Sequence, residues 1–243
     1  SSDLSIFIPT PYFGIWGIKI DSMSSSATTF GVFDLHTTGA IQIGSSNYIV
    51  SSSAELTTSA IQIYGPFLTQ TTFRSFTVTV DGNVDVSVAF SGDGGFSGRT
   101  SLFLFEPFVY EIDGTIIESM DVSSNAKVSF STNDEFAVYI SSFFVAGIYF
   151  DTGNSEISAS NVRVTYSGEV TNAIGYTYGI YLNWGERVGL LSFVDVLMNG
   201  AVESFEQYEQ GYTYGNGLFV FPFFCNMYTN ISTYNLTPHH SHT

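Results

Sequence analysis

Apolar and polar residues alternate along most of this chain with a period of two. In the opening stretch the even positions are Leu4, Ile6, Ile8, Thr10, Tyr12, Gly14, Trp16, Ile18 and Ile20. A β-strand here lays one apolar stripe along one face. Pro9 and Pro11 fall on the odd positions, donate nothing to a ladder and stiffen the chain. The pattern predicts a short strand over residues 4–8, a Pro9-Thr10-Pro11 joint, and a second strand over 12–20. The short strand has two readings: an ordinary first strand of its own domain, or a strand that leaves to complete a neighbour's sheet.

The same alternation continues downstream. Phe76, Val78 and Val80 alternate with threonines, Asp81-Gly82-Asn83 supplies a turn, and Val84, Val86, Val88 and Phe90 resume. This predicts an antiparallel hairpin with one face on a core. Residues 136–150 are apolar on both faces and predict a central strand, interrupted at Ser141-Ser142. Residues 185–210 lack a clean 3.6-residue stripe, and Asn199-Gly200 predicts a second hairpin between 188–198 and 201–208. Two repeats stand out. Thr37-Thr38-Gly39-Ala40-Ile41-Gln42-Ile43 returns as Thr57-Thr58-Ser59-Ala60-Ile61-Gln62-Ile63, and Gly175-Tyr176-Thr177-Tyr178-Gly179 returns as Gly211-Tyr212-Thr213-Tyr214-Gly215. Two copies at a spacing of twenty do not predict a solenoid. The expected fold is all-β: an antiparallel β-sandwich, jelly-roll or Ig-like, over residues 21–243, preceded by an extended N-terminal strand segment, 1–20. One break, residues 123–125, is where the sandwich could split in two.

Composition narrows the function classes. The 243 residues carry 22 Asp+Glu against 6 Lys+Arg, a net charge of −16. That excludes the basic footprint of a nucleic-acid binder. It also suits an acidic or extracellular setting, since full protonation leaves few positive charges to repel one another, and equally well suits plain solubility by net negative charge. Aromatics make up 16% of the chain, more than one monomer's core needs, which points to contacts between subunits. The single cysteine, Cys225, sits in an apolar run and reads as a buried small hydrophobe. No apolar run reaches the ~18 residues of a membrane helix. The first residue is Ser1, with no basic, apolar leader ahead of the pattern, as expected of a processed secreted chain or of a trimmed one.

Candidate chemistry is sparse. His36 has no evident triad partner, and no Gly-x-Ser-x-Gly elbow occurs. Glu106, Glu111, Asp113, Glu118 and Asp121 form one carboxylate cluster, and Glu203, Glu206 and Glu209 another. Neither carries a local catalytic signature, so the expectation is a protein that is not an enzyme, with no cofactor and no resident metal. Asp151, Asn154 and Glu156, or Asp93, offer turn oxygens to calcium but read as solvated acidic turns. The tail His239-His240-Ser241-His242 reads as exposed. Asn230-Ile231-Ser232 and Asn235-Leu236-Thr237 are glycosylation sequons, placed after the last apolar strand.

With Leu4, Ile6 and Ile8 ahead of Pro9-Thr10-Pro11, a Ser/Thr/Tyr-rich and Lys-poor composition, and sequons at Asn230 and Asn235, the chain resembles subunits of archaeal extracellular filaments, the threads and bundling pili built by donor-strand complementation. The resemblance covers twenty residues as motif and the rest as composition. It implies a secreted, glycosylated sandwich that forms a homo-polymer on the cell surface. Leu4, Ile6 and Ile8 would be the donated strand and Pro9 and Pro11 its hinge. A jelly-roll capsid or turret protein of a virion shares the composition. A carbohydrate-binding sandwich, with the Gly-Tyr-Thr-Tyr-Gly repeats as stacking platforms, is the third reading.

Overall fold

The structure, a computed structural model, describes residues 4–7, 12–20, 29–50, 53–64, 72–92, 95–106, 115–132, 139–152, 157–172, 175–184, 191–204, 214–222 and 229–233. Those residues form strands joined in coils. The first coil is β1 (Leu4–Phe7), β2 (Tyr12–Ile20) and β3 (Thr29–Thr37), the second β4 (Ile41–Val50), β5 (Ser53–Tyr64) and β6 (Thr72–Val80). The third is β7 (Val84–Gly92), β8 (Gly95–Glu106) and the pair β9 (Thr115–Ile117) and β10 (Met120–Ser124). The fourth is β11 (Val128–Thr132), β12 (Tyr139–Asp151) and β13 (Ile157–Tyr166). The fifth is β14 (Glu169–Asn172), β15 (Tyr176–Trp184) and β16 (Leu191–Met198), and the sixth β17 (Ala201–Ser204), β18 (Tyr214–Pro222) and β19 (Thr229–Thr233).

Every strand pairs with its equivalent one coil away, and every ladder is parallel. The chain is a parallel β-solenoid of three sheets. The first sheet runs β1-β4-β7-β11-β14-β17, the second β2-β5-β8-β12-β15-β18, and the third contains β3, β6, β9, β10, β13, β16 and β19. The register steps from Ile41 to Val84, Val128, Val170 and Val202, by 43, 44, 42 and then 32 residues.

This overturns the antiparallel sandwich, Ig-like or jelly-roll, and with it the jelly-roll virion subunit. The alternation was real but silent on strand direction, because a solenoid sheet with one covered face alternates just as a sandwich sheet does. The turn residues were also real. Asp81-Gly82-Asn83 joins β6 to β7, but these lie in different sheets, so the turn rounds a corner instead of reversing a hairpin. Asn199-Gly200 does the same between β16 and β17. Corners stack on corners: Asp81 N donates to Thr37 O at 2.8 Å, Ile41 N to Asn83 O at 2.8 Å, and Asn199 N to Tyr166 O at 2.8 Å. A Cβ on Gly82 would meet Gly39 O at 2.0 Å, and one on Gly200 would meet Gly168 O at 2.1 Å. Glycine is required there by the approach of the next coil's backbone. Residues 123–125 lie at one such corner, where the buried Ser124 Oγ donates to Val80 O at 2.6 Å.

The core fills the solenoid with columns of like side chains. Val78, Val80, Val84, Val86, Val122, Val128, Val164 and Val170 are each at most 1% exposed. Phe105 and Phe150 stack at 4.2 Å between the third and fourth coils. The both-faces-apolar stretch was read correctly as a central strand: β12 lies inside the second sheet, and its register slips between Ile140 and Ser142.

Donor-strand exchange is overturned as well. β1 pairs in parallel with β4 of its own chain, Leu4 opposite Ile41 and Ile6 opposite Ile43. The ladder lies within the subunit, but in a parallel solenoid sheet and not in the sandwich to which the ordinary-first-strand reading assigned it. Ile8, Pro9 and Pro11 lie outside the described residues.

Candidate functional site on the outward face of the second sheet

The second sheet differs from the other two in burying residues on both faces. A bend explains how. Each of its strands carries Trp16-Gly17-Ile18-Lys19, Ser59-Ala60-Ile61-Gln62, Ser101-Leu102-Phe103-Leu104, Ala146-Gly147-Ile148-Tyr149, Tyr178-Gly179-Ile180-Tyr181 or Asn216-Gly217-Leu218-Phe219. The first, third and fourth residues of these quartets are register partners from coil to coil, with the second residue stepped over in every ladder. In the first five coils the second position absorbs the bend, so the first and fourth residues both face outward although three positions apart. The third residue in those five coils, Ile18, Ile61, Phe103, Ile148 or Ile180, belongs to the core. A Cβ on Gly17 would meet Ala60 O at 2.6 Å, and one on Gly147 would meet Gly179 O at 2.7 Å, so the bend wants a small residue in those coils.

The outward columns converge on an aromatic cluster in the fourth and fifth coils. Tyr149 and Tyr178, 2% and 6% exposed, pack with Leu104 and Ala146, and the half-buried Phe144, Tyr176 and Tyr181 rest on them. Tyr149 and Tyr181 stack at 4.5 Å with 6° between ring planes, and Phe144 and Tyr176 at 5.0 Å with 18°. Both are cross-strand neighbours in register, where parallel rings are held by the ladder itself.

Charge collects beside these rings. Arg99, opposite Phe144 in register, pairs with Glu106 and lies 5.3 Å from the Tyr149 ring centre. Burial pushes the Glu106 carboxyl up, more than the Arg99 charge pulls it down, and Asp151 adds to the rise. Asn183 Nδ2 donates to Asp151 Oδ1 at 3.2 Å. Burial, with the Asp151 charge, pushes the Tyr181 phenol up to about 12, so it stays an O–H donor and acceptor at neutral pH. At the other end of the face Lys19 Nζ stands 4.0 Å over the Trp16 ring. Among the described residues, buried Ser59 Oγ, Gln62 Oε1 and Ser101 Oγ on this face have no hydrogen-bond partner.

The structure brings together some predicted residues and separates others. Tyr176 and Tyr178 of the first Gly-Tyr-Thr-Tyr-Gly copy belong to the cluster. Of the second copy, Tyr214 and Gly215 are described; Tyr214 opposes Tyr176 and not its repeat equivalent Tyr178. The Ile-Gln-Ile copies occupy β4 and β5 of one coil and are not register partners. Of the carboxylates, Glu106 is on this face, while Asp121 lies in the third sheet and Glu203 in the first. Glu111, Asp113, Glu206, Glu209, Asp93, Asn154, Glu156, Cys225 and the histidine tail lie outside the described residues. No group of three or more metal-ligating side chains occurs among the described residues. His36 does have a partner, Asp81 at 2.8 Å, one coil away. Asn230 falls on β19, opposite Asp195, so a further strand follows the one expected to be last. Asn235 lies outside the described residues.

Sequence reasoning missed Arg99, Phe144, Tyr149 and Tyr181. The quartets were the signal: in every coil but the third, which has Leu102, a Gly or Ala precedes a branched aliphatic residue. Their spacing varies from coil to coil, which hides them from a search at fixed period. Comparison with models of protein families, with curated proteins and with solved structures finds no match to this chain.

Proposed function

We propose that this protein is an extracellular β-solenoid that binds neutral glycans on the outward face of its second sheet. The observation that carries this reading is the set of half-buried rings, Phe144, Tyr176 and Tyr181, standing on the buried Tyr149 and Tyr178. Flat rings held at fixed spacing suit the C–H faces of pyranose sugars. The phenols, Asn183 and the Arg99–Glu106 pair beside them suit sugar hydroxyls. The net charge of −16 repels polyanions, which favours uncharged sugars over uronic or sulfated ones. The face reads as a binder because its carboxylates are engaged, Glu106 by Arg99 and Asp151 by Asn183. An extracellular setting agrees with the two sequons and the cation-poor composition.

Affinity electrophoresis through gels holding neutral or acidic polysaccharides tests this. Retardation is expected in at least one neutral gel and in none of the acidic ones. Tyr176→Ala and Tyr181→Ala should each weaken retention by about tenfold, a loss of about 1.4 kcal/mol. No retention by neutral polymers, or variants retained as strongly as the parent, would overturn the proposal.

A further inference from the structure

Four buried polar atoms on the outward face of the second sheet are neighbours in the ladder and have no hydrogen-bond partner among the described residues: Trp16 Nε1, Ser59 Oγ, Gln62 Oε1 and Ser101 Oγ. Ser59, Gln62 and Ser101 are at most 4% exposed. Trp16, Ser59 and Ser101 succeed one another in register, and Gln62 stands across the bend from Ser59. A buried polar group left unpaired costs about 1–3 kcal/mol, and folded chains keep few of them. Here they gather in the first three coils, beside the rings of the fourth and fifth. Their chemistry is mixed. Trp16 Nε1 only donates, Gln62 Oε1 only accepts, and each serine does both. An anion would meet the Gln62 oxygen and a cation the Trp16 N–H, whereas hydroxyl groups suit all four. Lys19 is opposite Gln62 in register, with its Nζ 4.0 Å from the Trp16 ring centre and 6.0 Å from that of Tyr64.

We propose that these groups form a second subsite for a linear neutral glycan that lies along the solenoid axis. One stretch of the glycan rests on the Phe144, Tyr176 and Tyr181 rings. The next is held through its hydroxyls by Ser101, Ser59, Gln62 and Trp16. The inference rests on the glycan reading of the rings and adds the direction and the length of chain bound. Tyr176 and Tyr181 are in the fifth coil and Ser59 and Gln62 in the second, three ladder steps apart. At about 4.8 Å a step, the two stretches are about 14 Å apart. A disaccharide on the rings does not span that distance, and a hexasaccharide does. Arg99, in the third coil opposite Phe144, lies between the two stretches. Entry of the hydroxyls requires Lys19 to turn aside, an exposed side chain on a flexible stem.

Isothermal titration calorimetry with cello-, manno- and malto-oligosaccharides, disaccharide to hexasaccharide, tests this. In a series that binds, affinity should climb by at least about tenfold from disaccharide to hexasaccharide. Ser101→Ala and Gln62→Met should each cut that gain about fivefold, the worth of one hydrogen bond. Tyr176→Ala should instead weaken both lengths. The Ser101 hydroxyl has no partner to lose in the unbound protein, so Ser101→Ala should keep or raise the urea midpoint. Affinity that stays level with length overturns the second subsite and leaves the rings as a glycan site. So does a gain that both variants leave intact, or a urea midpoint lowered by Ser101→Ala. No binding in any series overturns the subsite and the glycan reading together.

Discussion

Two side chains of the second sheet show how position decides what a polar group costs. Thr58 and Thr100 sit in the inward column that continues as Val145, fully buried, and among the described residues their hydroxyls have no partner. A buried hydroxyl without a hydrogen bond costs about 1–3 kcal/mol. Thr100→Val keeps the shape and repeats the residue that the next coil already uses. It should stabilise the protein by about 1 kcal/mol, read as a higher urea midpoint with unchanged slope. Glu106 is the opposite case, a carboxyl raised by burial beside its Arg99 partner. Its folded pKa lies above the unfolded value. The native state therefore holds more protons in the window above the ordinary pKa of 4.5, and stability falls as pH rises through it. Glu106→Gln should flatten that part of the pH–stability curve. The readout is the slope, since Arg99 loses its partner in the variant at every pH. An unchanged slope would show that Glu106 does not titrate in that window.

At the level of strands, the placement of β1 separates a structural role from an exchanged one. Deleting residues 1–8 removes the ladder to β4 and opens that edge. The truncated chain should still fold, with a lower denaturation midpoint and faster amide exchange in β4, while β5 and β6 keep their protection. Unchanged exchange in β4 would contradict the pairing. The same strand shows how much of the fold was legible. Alternation at Leu4 and Ile6 and at Phe76 to Val88, and the run apolar on both faces that contains β12, located strands correctly. Asp81-Gly82-Asn83 and Asn199-Gly200 located turns. What alternation lacks is any record of the partner, because inward and outward positions repeat identically whether the neighbour runs parallel or antiparallel. The partner was written in the quartets, Trp16-Gly17-Ile18-Lys19 and its five equivalents. Variable loops shift their spacing and hide it. The candidate site was half legible for the same reason. Tyr176 and Tyr178 stood out as a local repeat, whereas Phe144, Tyr149 and Arg99 reach them only through the stacking of coils.

The whole molecule is a column in which each coil bonds chiefly to the coils before and after it, so stability is spread along an axis instead of gathered at one centre. The register that builds this column also sets a mechanical response. Ladder hydrogen bonds run along the axis, so a pull on the two ends loads one junction at a time and peels coils from an end. Each coil freed adds its own contour length. Coils that advance the register by 42 to 44 residues should each release ~140–160 Å, and the coil from Val170 to Val202, at 32 residues, only ~105–115 Å. Single-molecule stretching should show a staircase of unequal steps whose lengths spell out the loop variation. One large rupture in place of the staircase would mean that the coils yield together. A staircase means a protein that lengthens under load by shedding coils singly and recovers them when the load falls, in the manner of a shock absorber.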